Sequence, residues 1–191
     1  MNNFSSSPLH PVEKAGLLDS RFRILLHNPG KLLKKYVHPG MTVLDLGCGT
    51  GYFTLEAAKL VNSNGKVIAA DVQQGMLDIL KQKAINSKFG GVIEIHKCNE
   101  NRLNLSEKVD FILAFYAFHE MKYIDNIIND LTLIVKPETK IYISEQKFHV
   151  PKAHFNTIIS KMENIGFEVC ERPKICLSRT VIMKQKSNYS D

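Results

Sequence analysis

No charged and apolar leader opens the chain. Met1 is followed by Asn2, Asn3, Phe4 and three serines, a start unlike a secretory signal. No apolar run is long enough to cross a bilayer: the longest, residues 111–118, falls well short of the roughly 20 residues a spanning helix needs and suits a buried strand. Cysteine is sparse. Cys48, Cys98, Cys170 and Cys176 form neither a CxxC pair nor the Cys/His spacing of a zinc site, so no disulfide framework and no metal centre are expected, and the thiols read as those of a reduced, cytoplasmic protein. Charge of neither sign dominates, with 25 Lys and Arg against 19 Asp and Glu for a net +6. Lys31, Lys34 and Lys35 stand close together, but the excess is otherwise spread along the chain and carries no aromatic RNA-binding signature, which disfavours nucleic acid as a partner.

What is present is an alternation. Short β-branched or apolar runs at residues 42–46, 67–71, 92–98, 109–115 and 140–145 read as strands, and residues 52–61, 75–86 and 123–134 carry the three-and-four spacing of helices between them. Residues 106–108 offer only a short connection before the fourth strand. Strand, helix and strand in turn imply right-handed crossovers and a mainly parallel, doubly wound sheet covered on both faces. The tail departs from this rhythm: residues 151–164 read as a helix, and residues 167–172 and 179–184 as two strands pairing antiparallel. Ahead of the sheet, residues 12–26 and 30–36 read as helices broken by His27, Asn28 and Pro29. The expected plan is therefore a helical cap over residues 1–40, an α/β domain over residues 41–185 and a polar tail, residues 186–191.

The strand at residues 42–46 runs through Val43, Leu44, Asp45 and Leu46 straight into Gly47, Cys48, Gly49, Thr50 and Gly51. In open α/β sheets ligands lie at the carboxyl ends of the strands, and glycines there let backbone approach them closely. A dinucleotide fingerprint needs GxGxxG, but position 52 is Tyr52, so the spacing is GxGxG and argues against NAD. A tight turn with no ligand is the competing reading.

The run VLDLGCGTG resembles motif I of the class I S-adenosylmethionine-dependent methyltransferases, and the likeness extends over residues 42–147. Its nearest look is to the small-molecule branch that includes the ubiquinone and menaquinone methyltransferases. The resemblance implies a Rossmann-like fold and S-adenosylmethionine as cofactor, with Gly47, Cys48 and Gly49 against its methionine part and Asp45 near its amino end. Cys48 reads as a small filler of the loop rather than a nucleophile.

Asp71, followed by Val72, ends the second strand. A carboxylate there can accept both hydrogen bonds of a ribose diol, whereas helix capping explains it less well because Gly75 and Met76 come several residues later. Where relatives place an Asp on the adenine amino group, this chain has Asn99, with Glu100 beside it; either can accept that bond. Phe115 and Tyr116, at the end of the fourth strand, could face a positive sulfonium, although apolar strand residues are more often simply core. His119 is the candidate general base for a hydroxyl, phenol or amine, with Tyr116 as a second catalytic candidate and Glu120 a lesser one; a structural histidine is the alternative. Glu145 and His149 could line the pocket, although capping and solvent exposure explain them as well.

The expectation is therefore methyl transfer to a small-molecule acceptor by in-line displacement, under a lid formed by residues 12–36. RNA methylation is a weaker alternative, since residues 114–117 read AFYA rather than the N/DPPY that accompanies base flipping. A cofactor-binding protein without turnover is the third, because the glycine loop and Asp71 both serve binding.

Overall fold

In the computed structural model, which describes residues 28–187, strand and helix alternate as the spacing demands. Helix α1 (Pro29–Leu33) precedes β1 (Thr42–Leu46), α2 (Thr54–Val61), β2 (Lys66–Asp71), α3 (Gln74–Ile85), β3 (Ile93–Lys97) and β4 (Val109–Phe115). Then follow α4 (Ile124–Ile134), β5 (Val135–Gln146), α5 (Lys152–Asn164), β6 (Phe167–Glu171) and β7 (Ser178–Gln185). Among the described residues they build a seven-stranded sheet in the order β3-β2-β1-β4-β5-β7-β6. Strands β1 to β5 run parallel, while β7 lies antiparallel between β5 and β6. The class is α/β, doubly wound and mainly parallel, with the antiparallel hairpin at its carboxyl end.

Alternation along the strands divides the core. Leu44, Ile68, Ile112 and Ile143 face α4 and α5, meeting Ile127, Leu131, Phe155 and Met162. Val43, Val67, Phe111 and Tyr142 face the other way, against Leu33 and Tyr36, Phe53 and the alanines Ala57 and Ala58 of α2. Each Leu, Ile or Phe so buried contributes about 1.5–3 kcal/mol, which only a sheet covered on both faces can collect from near-continuous apolar strands. The strand order reverses between β1 and β4, and the glycine loop after β1 opens at that reversal.

Two elements differ from the sequence expectation. Helix α1 covers residues 29–33 rather than 30–36: the Asn28 side chain accepts a hydrogen bond from Lys31 N at 3.0 Å and Pro29 occupies the first turn, with residues 34–36 leaving the helix in a turn. Strand β5 begins at Val135 rather than residue 140. Its pairing with β4 steps from Val109↔Val135 to Phe111↔Lys140, and the slack is closed by Thr139, whose hydroxyl donates to Val109 O at 2.5 Å and accepts from Lys136 N at 2.8 Å. The β3 to β4 crossover carries no helix; a bridge between Asn99 and Arg102, and a fully buried Leu103 whose N–H donates to Asp130 at 2.7 Å, hold it instead. The expected helix over residues 12–26 lies outside the described residues.

Candidate functional site

The loop after β1 turns back on its own sheet. Gly47 N and Cys48 N both donate to Ala70 O, at 2.8 and 3.1 Å, which ties the turn to the end of β2. Gly47 has φ +72°, and a Cβ built on it would stand 2.7 Å from the Ala117 Cβ, so the backbone can pass the β4 loop only because no side chain is there. Gly49, at φ +53°, is different: a Cβ there would meet nothing within 4 Å. The turn leaves an open cradle.

Asp71 closes that cradle from the side. Its Oδ2 accepts from Gly49 N at 2.9 Å and its Oδ1 from Gln73 N at 2.8 Å, so one carboxylate clamps the glycine loop to the start of α3. The bond to Gln73 is a local turn contact of the kind aspartate makes two residues on, and the one to Gly49 is long-range. Each oxygen keeps acceptor capacity beyond these bonds. Burial raises the Asp71 carboxyl above its ordinary range, against the pull of the two amides and of Lys97, whose ammonium bonds to Val72 O.

Asp71 lines a cavity with Leu46, Gly47, Val72, Asn99 and Glu100 on one wall. The opposite wall comes from the loop after β4 and from α4: Ala117, Glu120, Met121, Lys122 and Ile127. Among the expected site residues, Gly47, Asp71, Val72, Asn99 and Glu100 are brought together here. Cys48 and Gly49 follow Gly47 in the loop but do not line the cavity. The Cys48 side chain is buried with Ala69, Leu77 and Leu80, and burial, reinforced by the charges of Asp45 and Asp71, pushes its thiol well up, away from nucleophilic chemistry. Cys98, on the same wall, is likewise pushed up to about 12 by burial and the Asp71 charge. Asp45 is buried behind the loop, its Oδ2 accepting from Thr54 Oγ1 at 2.6 Å.

Phe115 and Tyr116 do not line this cavity. Phe115 stacks between Phe53, at 4.4 Å between ring centroids, and Tyr116, at 4.3 Å, and Tyr52 extends the row, so four aromatic rings follow the sheet's α2 side. Tyr116 adopts φ +61°, a conformation a bulky side chain takes only when its surroundings impose it. Its N–H donates to Ser144 O at 2.8 Å and its hydroxyl meets Ser178 Oγ at 2.6 Å, which fixes both ends.

His119 lies one turn on, buried. Its Nδ1 stands 2.6 Å from Glu145 Oε2, and its backbone N–H donates to Glu145 Oε1 at 3.3 Å. A carboxylate can only accept, so Nδ1 carries the proton and Nε2 faces Glu120 Oε1, 3.7 Å away. Burial works to lower the imidazole's affinity for a proton, but the bond to Glu145 and the charges of Glu145 and Glu120 outweigh it and raise it. The His149 ring packs edge-on at 5.0 Å. Glu145 is therefore neither a cap nor solvent-exposed, as its place after a strand suggested, but fully buried against a histidine. Spacing could not reveal this pair, whose members are 26 residues apart. The wall residues Met121, Lys122 and Ile127 also went unread, because the signal there was a helix start, not a site. No group of three or more His, Cys, Asp or Glu among the described residues is placed to hold a metal ion.

Residues 37–188 match the family model described as a methyltransferase domain. Over 190 residues the chain is 24% identical to a ubiquinone/menaquinone biosynthesis C-methyltransferase of Hahella chejuensis, covering 99% of this chain and 67% of that one. The corresponding enzyme of Francisella tularensis is 29% identical over 115 residues, 60% of this chain and 46% of that one. The chain thus spans between about half and two thirds of these curated relatives. Among solved structures, a SAM-dependent methyltransferase from Aquifex aeolicus superposes with a TM-score of 0.80 at 27% identity, covering 91% of this chain and 97% of its own.

Proposed function

This chain belongs to the methyltransferase-domain family, S-adenosylmethionine-dependent enzymes, and from that premise we propose that it methylates a small-molecule acceptor by in-line displacement. The cofactor, when bound, supplies an electrophilic methyl group on a sulfonium. The observation that carries the reading is the clamp of Asp71 on the glycine loop, which presents a carboxylate with spare acceptor capacity beside an open backbone cradle. In this reading Gly47, Cys48 and Gly49 hold the amino-acid arm through backbone, Asp45 stands behind its amino end, Asp71 accepts from the ribose hydroxyls, and Val72, Asn99 and Glu100 receive the adenine. The donor set suits a cationic nucleoside: Asp71, Glu100 and Glu120 all line the cavity, against one lysine, Lys122.

The acceptor would lie on the aromatic side, along Phe115 and Tyr116, with His119 as general base and the Tyr116 hydroxyl as orienting group. Support for His119 comes from its pairing: Glu145 fixes the Nδ1–H tautomer, leaving Nε2 as the nitrogen able to take a proton. The proposed lid over residues 12–36 is supported by its described end, where Leu33 and Tyr36 pack on the sheet face that Phe115 shares. Among the described residues no helix is long and apolar enough to cross a membrane. The cytoplasm is the compartment this reading favours, with four free cysteines in support, and a nucleic-acid acceptor is disfavoured for want of a stacking and flipping sequence. Incubating the enzyme with isotopically labelled methyl donor and fractionated metabolites should label one small compound. Label only in the RNA fraction, or label in no fraction while donor binds, would reject the acceptor class.

A further inference from the structure

Two loops at the carboxyl rim of the sheet are stitched into one platform. Residues 147–150 follow β5 and residues 172–177 precede β7. Lys147 N donates to Leu177 O at 2.9 Å, and the Arg179 guanidinium donates to Lys147 O and Val150 O at 2.9 and 2.8 Å. Val150 N closes the first loop on Gln146 O at 2.9 Å. A loop this well pinned could bury its apolar apex, yet Phe148 is 87% exposed and Leu177, in the second loop, 40% exposed. Single exposed apolar residues are ordinary, but a phenylalanine and a leucine on two adjoining, braced loops form a patch.

The charges around the patch are of one sign. Residues 146–149 and 172–179 read QKFH and RPKICLSR, with four cationic side chains and no acid. Arg179 is spent on the carbonyls of the first loop, whereas Lys147, Arg172 and Lys174 are exposed and have no ion-pair partner among the described residues. The nearest acids in sequence are engaged elsewhere: Glu145 with His119, and Glu171 with Lys35 and Lys140. The platform also touches the site, since Ser178 meets the Tyr116 hydroxyl and His149 packs on His119.

We propose that this rim docks on an anionic phospholipid surface, Phe148 and Leu177 entering the acyl boundary while Lys147, Arg172 and Lys174 meet the headgroups. Apolar apex and basic flank together are what interfacial binding requires, and lysine and arginine stems reach from an apolar seat to a polar layer. An RNA surface would use the same cations but give an exposed leucine nothing to stack on. One aromatic and one aliphatic anchor give reversible attachment rather than permanent insertion.

The chain contains no tryptophan, so Phe148→Trp places one tryptophan at the apex, which can be excited selectively over the six tyrosines. Its emission should shift to shorter wavelength when vesicles of phosphatidylcholine with phosphatidylglycerol are added, stay unchanged with phosphatidylcholine alone, and return as salt is raised. Lys147→Gln with Lys174→Gln should weaken vesicle affinity of the otherwise native chain roughly thirtyfold, and Phe148→Ser should abolish co-sedimentation while leaving cofactor binding intact. An unshifted spectrum with anionic vesicles overturns the proposal, as does vesicle binding that survives both substitutions, or the same spectral shift produced by a short RNA. The assay uses neither cofactor nor acceptor, so its failure would leave the methyl-transfer reading standing, and the reverse.

Discussion

At the scale of the residue, the site depends on a few side chains held in unusual states. Asp71 has two backbone amides to satisfy besides any ligand, so Asp71→Ala loses both the proposed ribose contact and the clamp on Gly49. Cofactor affinity should fall ten- to hundred-fold, about 1.5–3 kcal/mol, by calorimetry on the folded variant. His119 gives a prediction with two signs. As a base it must be deprotonated, and its proton affinity is raised above the ordinary value of 6.5, so activity should climb with pH through a midpoint above 6.5. Stability runs oppositely: the imidazolium paired with Glu145 stabilises the fold fully below the unfolded value and the contribution is lost as pH rises through the raised folded value. Glu145→Gln removes the main partner raising it, so the midpoint of the pH–rate profile should move to lower pH; a midpoint that stays in place would remove Glu145 from the orienting role. Of these residues, the aspartate and glycines were legible because their chemistry is local, a strand running into a turn. The His119–Glu145 pair was not, since only the parallel pairing of β4 with β5 sets those positions side by side.

At the scale of the element, small polar residues at turns decide where regular structure starts and stops. Thr139 is 1% exposed and serves both as donor and acceptor where β5 slips against β4. Thr139→Val keeps its shape and strands Val109 O and Lys136 N, and should cost about 1–3 kcal/mol in urea denaturation. Gly47→Ala places a methyl against Ala117 in a left-handed backbone and should cost at least about 1–2 kcal/mol by the same measurement. Strands β1, β2 and β4 were readable to within a residue or two because both faces are buried and their apolar runs are nearly unbroken. The start of β5 was hidden by Pro137, which argues against a strand unless a bulge removes the need for its N–H. The β3 to β4 crossover, with Leu103 as its buried anchor, shows no periodicity at all and so gave no signal.

At the scale of the whole molecule, the cavity and the aromatic row fall on different sides of one sheet end. The cavity lined by Asp71, Asn99 and Glu100 opens toward α4, and the aromatic row from Tyr52 to Tyr116 follows the α2 side, with the glycine loop between them. A cofactor lying across that loop would present its sulfur to the aromatic side, and the central claim is that Asp71 and the glycine loop bind it there. Isothermal titration of S-adenosylmethionine into the full chain and into Asp71→Ala measures it most directly. Saturable one-to-one binding that weakens ten- to hundred-fold in the variant is the expected result; no heat at millimolar cofactor, or equal affinity in both proteins, would contradict it.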